Sequence, residues 1–366
     1  MNRLVIAGGG LAGGAVACAL AQAGRGVTLI EREAAPAHKI CGEFLSTEAQ
    51  AYLAKLGLDL APLGGHEISH LRLIRGRSVV TTALPFRGLG LTRKTLDEAL
   101  LRHAAGLGAE ILRGQALRRS DSGWDVTGVG AIAPDIMFLA TGKHEMRLLP
   151  RKTRAKRDLV GFKMYYRLAP DQLAALSHHI ELIMFEGGYA GLQLVEDDQA
   201  NLCFLVERRR LKQAGGQFDR LMANLQQASP HLAARLACAC PHLPAPLTIA
   251  NVPYGFIHHH APMDAPNIYR LGDQAGVIQS FTGDGMSIAL HSAALAAQSF
   301  LAGVPPAAFH RRLAGDISGQ IGRANALYRL MTLKFAQPAL FGLARAWPRG
   351  LGLAAQFTRV PPAVRV

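Results

Sequence analysis

The chain opens on blocks of apolar residues separated by short polar or glycine-rich stretches. Leu4-Val5-Ile6-Ala7 is wholly apolar and reads as a buried parallel strand. The uncharged, alanine-rich residues 11–23 predict a helix, and Val27-Thr28-Leu29-Ile30 predicts the next strand. After a polar loop over 32–46, a helix is expected to begin just past Ser46 and end at Gly57. Short strands are expected at 71–74 and 79–84. Thr92 is placed to cap a helix that carries Leu96, Leu100 and Leu101 and stops at Gly106–Gly108. Strand-like runs follow near Ile111 and over 124–129. Residues 135–142 read as a buried strand ending in a tight turn.

From about Asp158 the pattern changes to β-rich stretches at 161–168, 180–186, 190–195 and 201–207. The last two are joined by the polar Glu196-Asp197-Asp198-Gln199, which reads as a hairpin with a solvated tip. A helix is expected over 218–227. Residues 267–271 return to a strand, followed by Gly272-Asp273, and a long helix is expected over 286–301. The fold class is therefore α/β: a Rossmann-like domain, an inserted β-sheet substrate domain and a C-terminal helical segment. The expected boundaries are 1–157 (with short inserted strands over 68–92), 158–260 for the antiparallel β-rich domain, 261–305 for the return, and 306–366 for a basic helical segment.

Gly8-Gly9-Gly10-Leu11-Ala12-Gly13 sits between the first strand and the first helix. Gly8 allows the tight turn, Gly10 lets a pyrophosphate approach the backbone, and Gly13 lets the helix pack on the strand. The helix N-terminus offers free N–H groups to phosphate at Leu11 and Ala12. Glu31, ending the second strand beside Arg32, can accept from a ribose 2′-OH, which favours FAD or NAD over NADP. The same glycine spacing recurs at 128–133 and 350–355 without the strand–turn–helix context, and both copies are expected to be ordinary turns.

Composition narrows the class. With 366 residues, 49% hydrophobic and 18% charged, the chain is long enough and apolar enough for a sizeable core. Its five cysteines form no disulfide or zinc pattern, which fits a reducing cytosol. The chain opens directly into a strand and has no apolar run of membrane-spanning length. The expected localisation is cytoplasmic. The net charge of +14 is not matched by any nucleic-acid-binding module. From Arg311 onward there are nine Arg or Lys and one acid, Asp316, interleaved with Leu327, Leu330, Met331, Phe335, Leu340, Phe341, Leu343 and Trp347. Two readings stay open: a basic amphipathic segment lying peripherally on an anionic membrane, or a terminal helical layer with its arginines in water. Arg151–Arg157 reads as a connector or as an attraction for NADPH phosphates. His258-His259-His260 reads as a surface or domain-contact turn, His144 as structural, and no metal site is expected.

Three segments carry a family resemblance: the glycine turn, Arg93 within Leu91-Thr92-Arg93-Lys94-Thr95-Leu96-Asp97, and Leu271-Gly272-Asp273 through Phe281-Thr282-Gly283-Asp284-Gly285-Met286. Together they resemble the FAD-dependent oxidoreductases of the aromatic-hydroxylase (monooxygenase) superfamily, with the geranylgeranyl-reductase-like branch the nearest in pattern. The resemblance implies that Asp273 binds the ribityl chain and Arg93 lies near the phosphates. It also implies that Gly283, Gly285 and Met286 open a helix facing the flavin. Lys39-Ile40-Cys41-Gly42-Glu43 is similar to that branch's cysteine-glycine motif, implying Cys41 and Glu43 as catalytic candidates. Ser280 stands where the family usually has proline, and Ala140-Thr141-Gly142 where it has Ala-Asp-Gly, so Thr141, Gly142 and Gly272 are the expected cofactor contacts there. The tryptophan motif of the halogenases is absent, with Trp124 and Trp347 standing alone, and halogenation is not expected.

The expected function is an FAD monooxygenase acting on a hydrophobic or aromatic metabolite through a flavin C4a-hydroperoxide, with O2 as co-substrate. Electrons would come from NAD(P)H or from reduced flavin supplied by a partner. Tyr165, Phe185, Phe204 and Phe281 are the expected pocket residues. The alternatives are a geranylgeranyl-reductase-like double-bond reductase and a non-catalytic lipid or prenyl carrier on the same fold.

Overall fold

The computed structural model describes residues 3–121, 123–151, 158–333 and 335–361. Five parallel strands form the cofactor layer, in the order Ile268–Arg270, Ile136–Leu139, Leu4–Ala7, Val27–Glu31 and Glu110–Arg113. The central strands are buried on both faces, which is why they read as continuous apolar runs rather than alternating ones. The helices Leu11–Gln22, Arg93–Gly106 and Gly285–Leu301 pack together through Ala15, Val16, Leu96, Leu100, Ile288 and Leu295. Helix starts follow the capping chemistry: Ser46 Oγ accepts from the Ala49 amide, and Thr92 Oγ1 from the Thr95 amide.

The second layer is a nine-stranded sheet. Its main order is Cys240–Pro241, Leu159–Arg167, Ala200–Glu207, Gly188–Leu194, His179–Phe185, His66–Arg75, Ser78–Gly90 and Phe44–Leu45, with Leu247–Ala250 also pairing Leu159–Arg167. The strands expected to be short at 71–74 and 79–84 are far longer. They belong to this sheet, joined to the later β-rich segment by a parallel pairing of His66–Arg75 with His179–Phe185. Their polar faces hid their length: Arg72 and Thr81 interrupt the apolar signal where one face meets an ion pair or solvent.

The sheet has two different faces. Phe162, Leu192, Leu202, Phe204 and Val206 point to a core covered by the helices Phe218–Ala228 and Pro230–Arg235. The alternate residues Lys163, Tyr165, Tyr189, Gln193, Asn201 and Cys203 point toward the cofactor layer. At the hairpin tip Glu196 is not simply solvated. Its carboxylate accepts from the Thr92 amide (2.8 Å), Thr95 Oγ1 (2.6 Å) and Thr92 Oγ1, docking the sheet onto the N-terminus of Arg93–Gly106.

The glycine pattern at 128–133 is a hairpin turn and strand, as expected. The copy at 350–355 is not a turn; it lies inside the helix Arg349–Phe357. The C-terminal segment is three helices, Pro306–Thr332, Ala336–Ala346 and Arg349–Phe357, followed by a buried strap at Thr358–Val360. Met331, Phe341 and Ala344 pack on Leu73, Val80 and Met184 of the sheet. Of the basic run 151–157, only Arg151 falls within the described residues. No helix among the described residues is long and apolar enough to cross a membrane.

Candidate active site

One continuous cavity of about 1330 Å³ runs between the two layers. Single-ligand pockets occupy about 300–1,000 Å³, so there is room for a dinucleotide and a second molecule. Its two ends differ in chemistry.

At the first end lies the glycine turn. Gly8 has φ +101°, and a Cβ there would stand 2.6 Å from the Ala140 carbonyl oxygen. A Cβ on Gly13 would stand 1.9 Å from the Gly8 carbonyl oxygen, so helix and strand are in direct backbone contact. Gly13 therefore shapes the turn without lining the cavity, whereas Gly8, Gly10, Leu11 and Ala12 line it. A Cβ on Gly10 would meet Arg93 Nη2 at 3.0 Å, which places the guanidinium over the turn. Arg93 is held there by a bidentate pair with Asp97 (2.7 and 2.8 Å). Burial opposes its charge, but Asp97 overcomes this and raises its pKa.

Glu31 Oε2 accepts from the Gly9 amide (2.6 Å) and Oε1 from the Glu33 amide (2.9 Å), which fixes the carboxylate at the end of its strand. Arg32 lines the cavity beside it and meets His144 Nε2 at 3.0 Å. Asp273 and Gly272 line the wall, and the Asp273 side chain has no hydrogen bond among the described residues. Thr141 and Gly142 also line it, and Thr141 Oγ1 and Gln115 Oε1 are buried there without a partner among the described residues. Gly283, Gly285 and Met286 bring the N-terminus of a 17-residue helix to the same space. Open glycines, a capped arginine, a free carboxylate, two orphaned polar atoms and a helix N-terminus are what a dinucleotide flavin requires. The residues fit FAD.

Two residues of this end carried no clear sequence signal. Lys143 lines the cavity and donates to the Ile40 carbonyl (2.7 Å), tying the 38–43 loop to the turn after Thr141-Gly142. Burial opposes its charge; Tyr254 and Asp273 raise its pKa above the usual lysine value. Gln115 is visible as a site residue only in three dimensions, since nothing in its sequence neighbourhood marks it.

The Cys41-Gly42-Glu43 loop lies at the junction of the two ends. Cys41 is half-buried and lines the cavity. Glu43 is different. It has φ +60° and is fully buried. It is held by Lys163 Nζ (2.5 Å), the Arg93 amide (2.8 Å), Tyr165 Oη (2.9 Å to each oxygen) and Asn201 Nδ2 (3.1 Å). Burial raises its pKa while Lys163 opposes the shift. A carboxylate enclosed by four donors is a fastener for the loop, not a free proton donor. The geometry thus moves Glu43 from the expected catalytic part to a positioning one.

Tyr165 belongs to this fastener: its hydroxyl also meets His38 Nδ1 at 3.0 Å, and it does not line the cavity. Phe185 is likewise displaced from the expected pocket. It sits on the opposite face of its strand, in the core with Ile183. Phe204 borders the cavity, but its ring stacks on Phe162 at 5.2 Å in that same core. Phe281 does line the cavity, edge-on to Tyr189 at 5.7 Å. The pocket residues that sequence reasoning missed are on the alternate register: Leu182, Met184, Tyr189, Gln193 and Cys203. Burial pushes the Cys203 thiol up to about 11, so it is neutral.

The second end is apolar. Leu71, Leu73, Leu84, Met331, Leu340 and Ala344 line it, and the C-terminal helices cover it. At the junction Asp284 is fully buried, and burial lifts its carboxyl to about 7. Its Oδ2 accepts from the Val360 amide (3.0 Å), and Arg359 lies 3.8 Å away, so the strap closes over the helix N-terminus.

Away from the cavity, His258, His260 and His310 converge, with ring nitrogens within 4.8 Å of one another. The adjacent-histidine turn is thus more organised than expected. His310 Nε2 accepts from the Arg270 amide (2.9 Å), so Nδ1, facing the other two rings, carries the proton and has no lone pair for a metal.

Residues 3–62 match the pyridine nucleotide-disulphide oxidoreductase family. No curated protein matches the chain in sequence. Among solved structures, the flavin-dependent brominase Bmp2 superposes with a TM-score of 0.79 at 20% identity, covering 98% of this chain and 93% of that one. PqsL of Pseudomonas aeruginosa, in complex with 2-aminobenzoylacetate, gives 0.72 at 17% identity, covering 93% and 99%. A geranylgeranyl bacteriochlorophyll reductase-like protein of Thermoplasma acidophilum gives 0.74 at 14% identity, covering 99% and 94%. These likenesses bear out the sequence resemblance: the chain has the fold of the FAD-dependent oxidoreductases, in which halogenases, monooxygenases and double-bond reductases share one architecture.

Proposed function

We propose that this chain is an FAD-dependent monooxygenase that oxidises a hydrophobic small molecule. The observation that carries the reading is the single cavity whose cofactor end opens directly onto an apolar end. When bound, FAD supplies two-electron transfer and oxygen activation. The protein's part is to hold and shield. Glu31 would take the adenosine ribose, the glycine turn and Arg93 would take the pyrophosphate, and Asp273 would take the ribityl hydroxyls. The N-terminus of Gly285–Leu301 would offer a partial positive charge to a reduced flavin ring. Leu73, Met184, Phe281 and Met331 exclude water from the reacting face. NAD(P)H, or reduced flavin from a partner protein, is the electron source in this reading, and O2 the co-substrate.

A second reading is double-bond reduction, favoured by the half-buried Cys41 on the cavity wall. A thiol there is placed to give a proton to a carbon beside the one receiving hydride. Purified protein is scanned for flavin absorbance, then NADH and NADPH consumption is followed with and without O2 in the presence of hydrophobic phenols and polyenes. Product formation that stops without O2 supports the monooxygenase. Product formation that persists supports the reductase. Protein that takes up no FAD defeats both and leaves the carrier.

A further inference from the structure

The apolar end of the cavity reaches the surface between the last two helices. Leu343 and Trp347 both line the cavity and are exposed, at 61% and 53% of their surface. They therefore stand at its mouth. The surroundings of that mouth are unlike the rest of the molecule. Among the described residues, twelve large hydrophobic side chains are exposed, and seven of them lie between Leu330 and Phe357. Scattered apolar residues need no explanation, but a concentration of this kind marks a contact surface.

The pattern is helical. Phe335, Ala339, Leu343 and Trp347 recur every fourth residue, and all are exposed. The opposite face of Ala336–Ala346 is also apolar, with Phe341 and Ala344 buried against the sheet. A helix apolar on both faces is covered on both. In the next helix Leu353 and Phe357 continue the exposed stripe. Arg323, Arg329, Arg345 and Arg349 are exposed around it, and residues 330–357 contain no Asp or Glu. An apolar stripe flanked by arginines, with a tryptophan at the rim, matches the boundary between acyl chains and anionic headgroups.

We infer that the helices Ala336–Ala346 and Arg349–Phe357 dock on an anionic lipid surface, and that the cavity mouth between them admits a lipid-dissolved substrate. The docking stands on the surface alone; the substrate route rests on the proposed function. A membrane-dissolved substrate then passes from acyl chains to the apolar cavity without crossing water.

The test uses the full-length protein supplied with excess FAD, in sedimentation with vesicles of equimolar phosphatidylglycerol and phosphatidylcholine, and with phosphatidylcholine alone. The variants are the triple F335S/L343S/F357S and, as a control, M263S, which alters an exposed side chain outside the stripe. Unchanged far-UV circular dichroism certifies the fold of each. The expected result is binding to the anionic vesicles that weakens about tenfold or more in the triple variant and at about 0.5 M salt, with M263S unchanged. Wild-type protein that ignores anionic vesicles, or a triple variant that binds as well as wild type, overturns the docking. So does light scattering that shows a dimer lost in the triple variant while vesicles are ignored, because the stripe would then serve a second copy. Intact docking with no FAD uptake would sink the proposed function alone.

Discussion

Asp284 offers a quantitative test of how the junction is held. It is fully buried at the start of Gly285–Leu301, and burial lifts its carboxyl from 3.8 to about 7. Arg359 at 3.8 Å and the Val360 amide at 3.0 Å pull the other way without overcoming burial. Between those two values the folded protein keeps a proton that the unfolded chain has released. The stability this group contributes is therefore complete below pH 3.8 and is lost as pH rises through about 7. A shift of about three units, at about 1.36 kcal/mol each, bounds the loss at about 4 kcal/mol. Unfolding entropy of about 2.1 cal/mol/K per residue turns that into about 5 °C of Tm for a chain of 366 residues. In Asp284→Asn the amide oxygen still accepts from Val360, and Glu48 still holds Arg359 at 3.3 Å. Wild type and variant are compared by calorimetry from pH 4 to pH 8, flavin-free and flavin-loaded separately because ligand raises Tm by mass action. Taking the difference cancels shared titrations such as those of His38 and His258, both lowered to about 4 by burial. The variant should gain about 5 °C on wild type across that range. A difference that stays flat would refute the reasoning and mean that Arg359 keeps the carboxylate ionised throughout.

Gly13→Val should abolish flavin uptake, because its Cβ would lie 1.9 Å from the Gly8 carbonyl oxygen; absorbance of the purified variant reads this directly. Asp273→Ala should weaken FAD by about 10- to 100-fold, the worth of hydrogen bonds to a charged group, as measured by quenching of flavin fluorescence. Glu43→Gln should lose about 3–5 kcal/mol of stability, since Lys163 is left buried and uncompensated, while turnover per bound flavin stays near wild type. Lost turnover at unchanged stability would instead return Glu43 to the role of proton donor.

Much of the cofactor end was legible because its chemistry is local. Strand, glycine turn, helix and Glu31 follow one another within residues 4–31, and each element needs only its neighbours to be read. Asp273 and Gly285 were singled out only through the family resemblance of their segment, and both line the cavity. The substrate end was not, because its register depends on which face of a strand meets which layer. Phe185 and Phe204 looked like pocket residues by type, yet a one-residue difference in alternation puts their rings in the core and gives the wall to Met184 and Cys203. Glu43 was legible as important but not in its role: its partners Lys163, Tyr165 and Asn201 lie more than a hundred residues away. The exposed stripe on the last helices was visible as composition. Its place at a cavity mouth was not.

The parallel pairing of His66–Arg75 with His179–Phe185 has a consequence for how the molecule comes into being. It stitches two segments separated by an entire cofactor-layer excursion, so the chain leaves that layer for the roof twice, with one return between, before the roof is finished. Neither half of the roof can mature alone. A truncated product ending before residue 159 would present the open edge of His66–Arg75 as a template for intermolecular strand addition. Assembly of this enclosure should be slow, dominated by distant pairings, and vulnerable to aggregation until the later segment is synthesised.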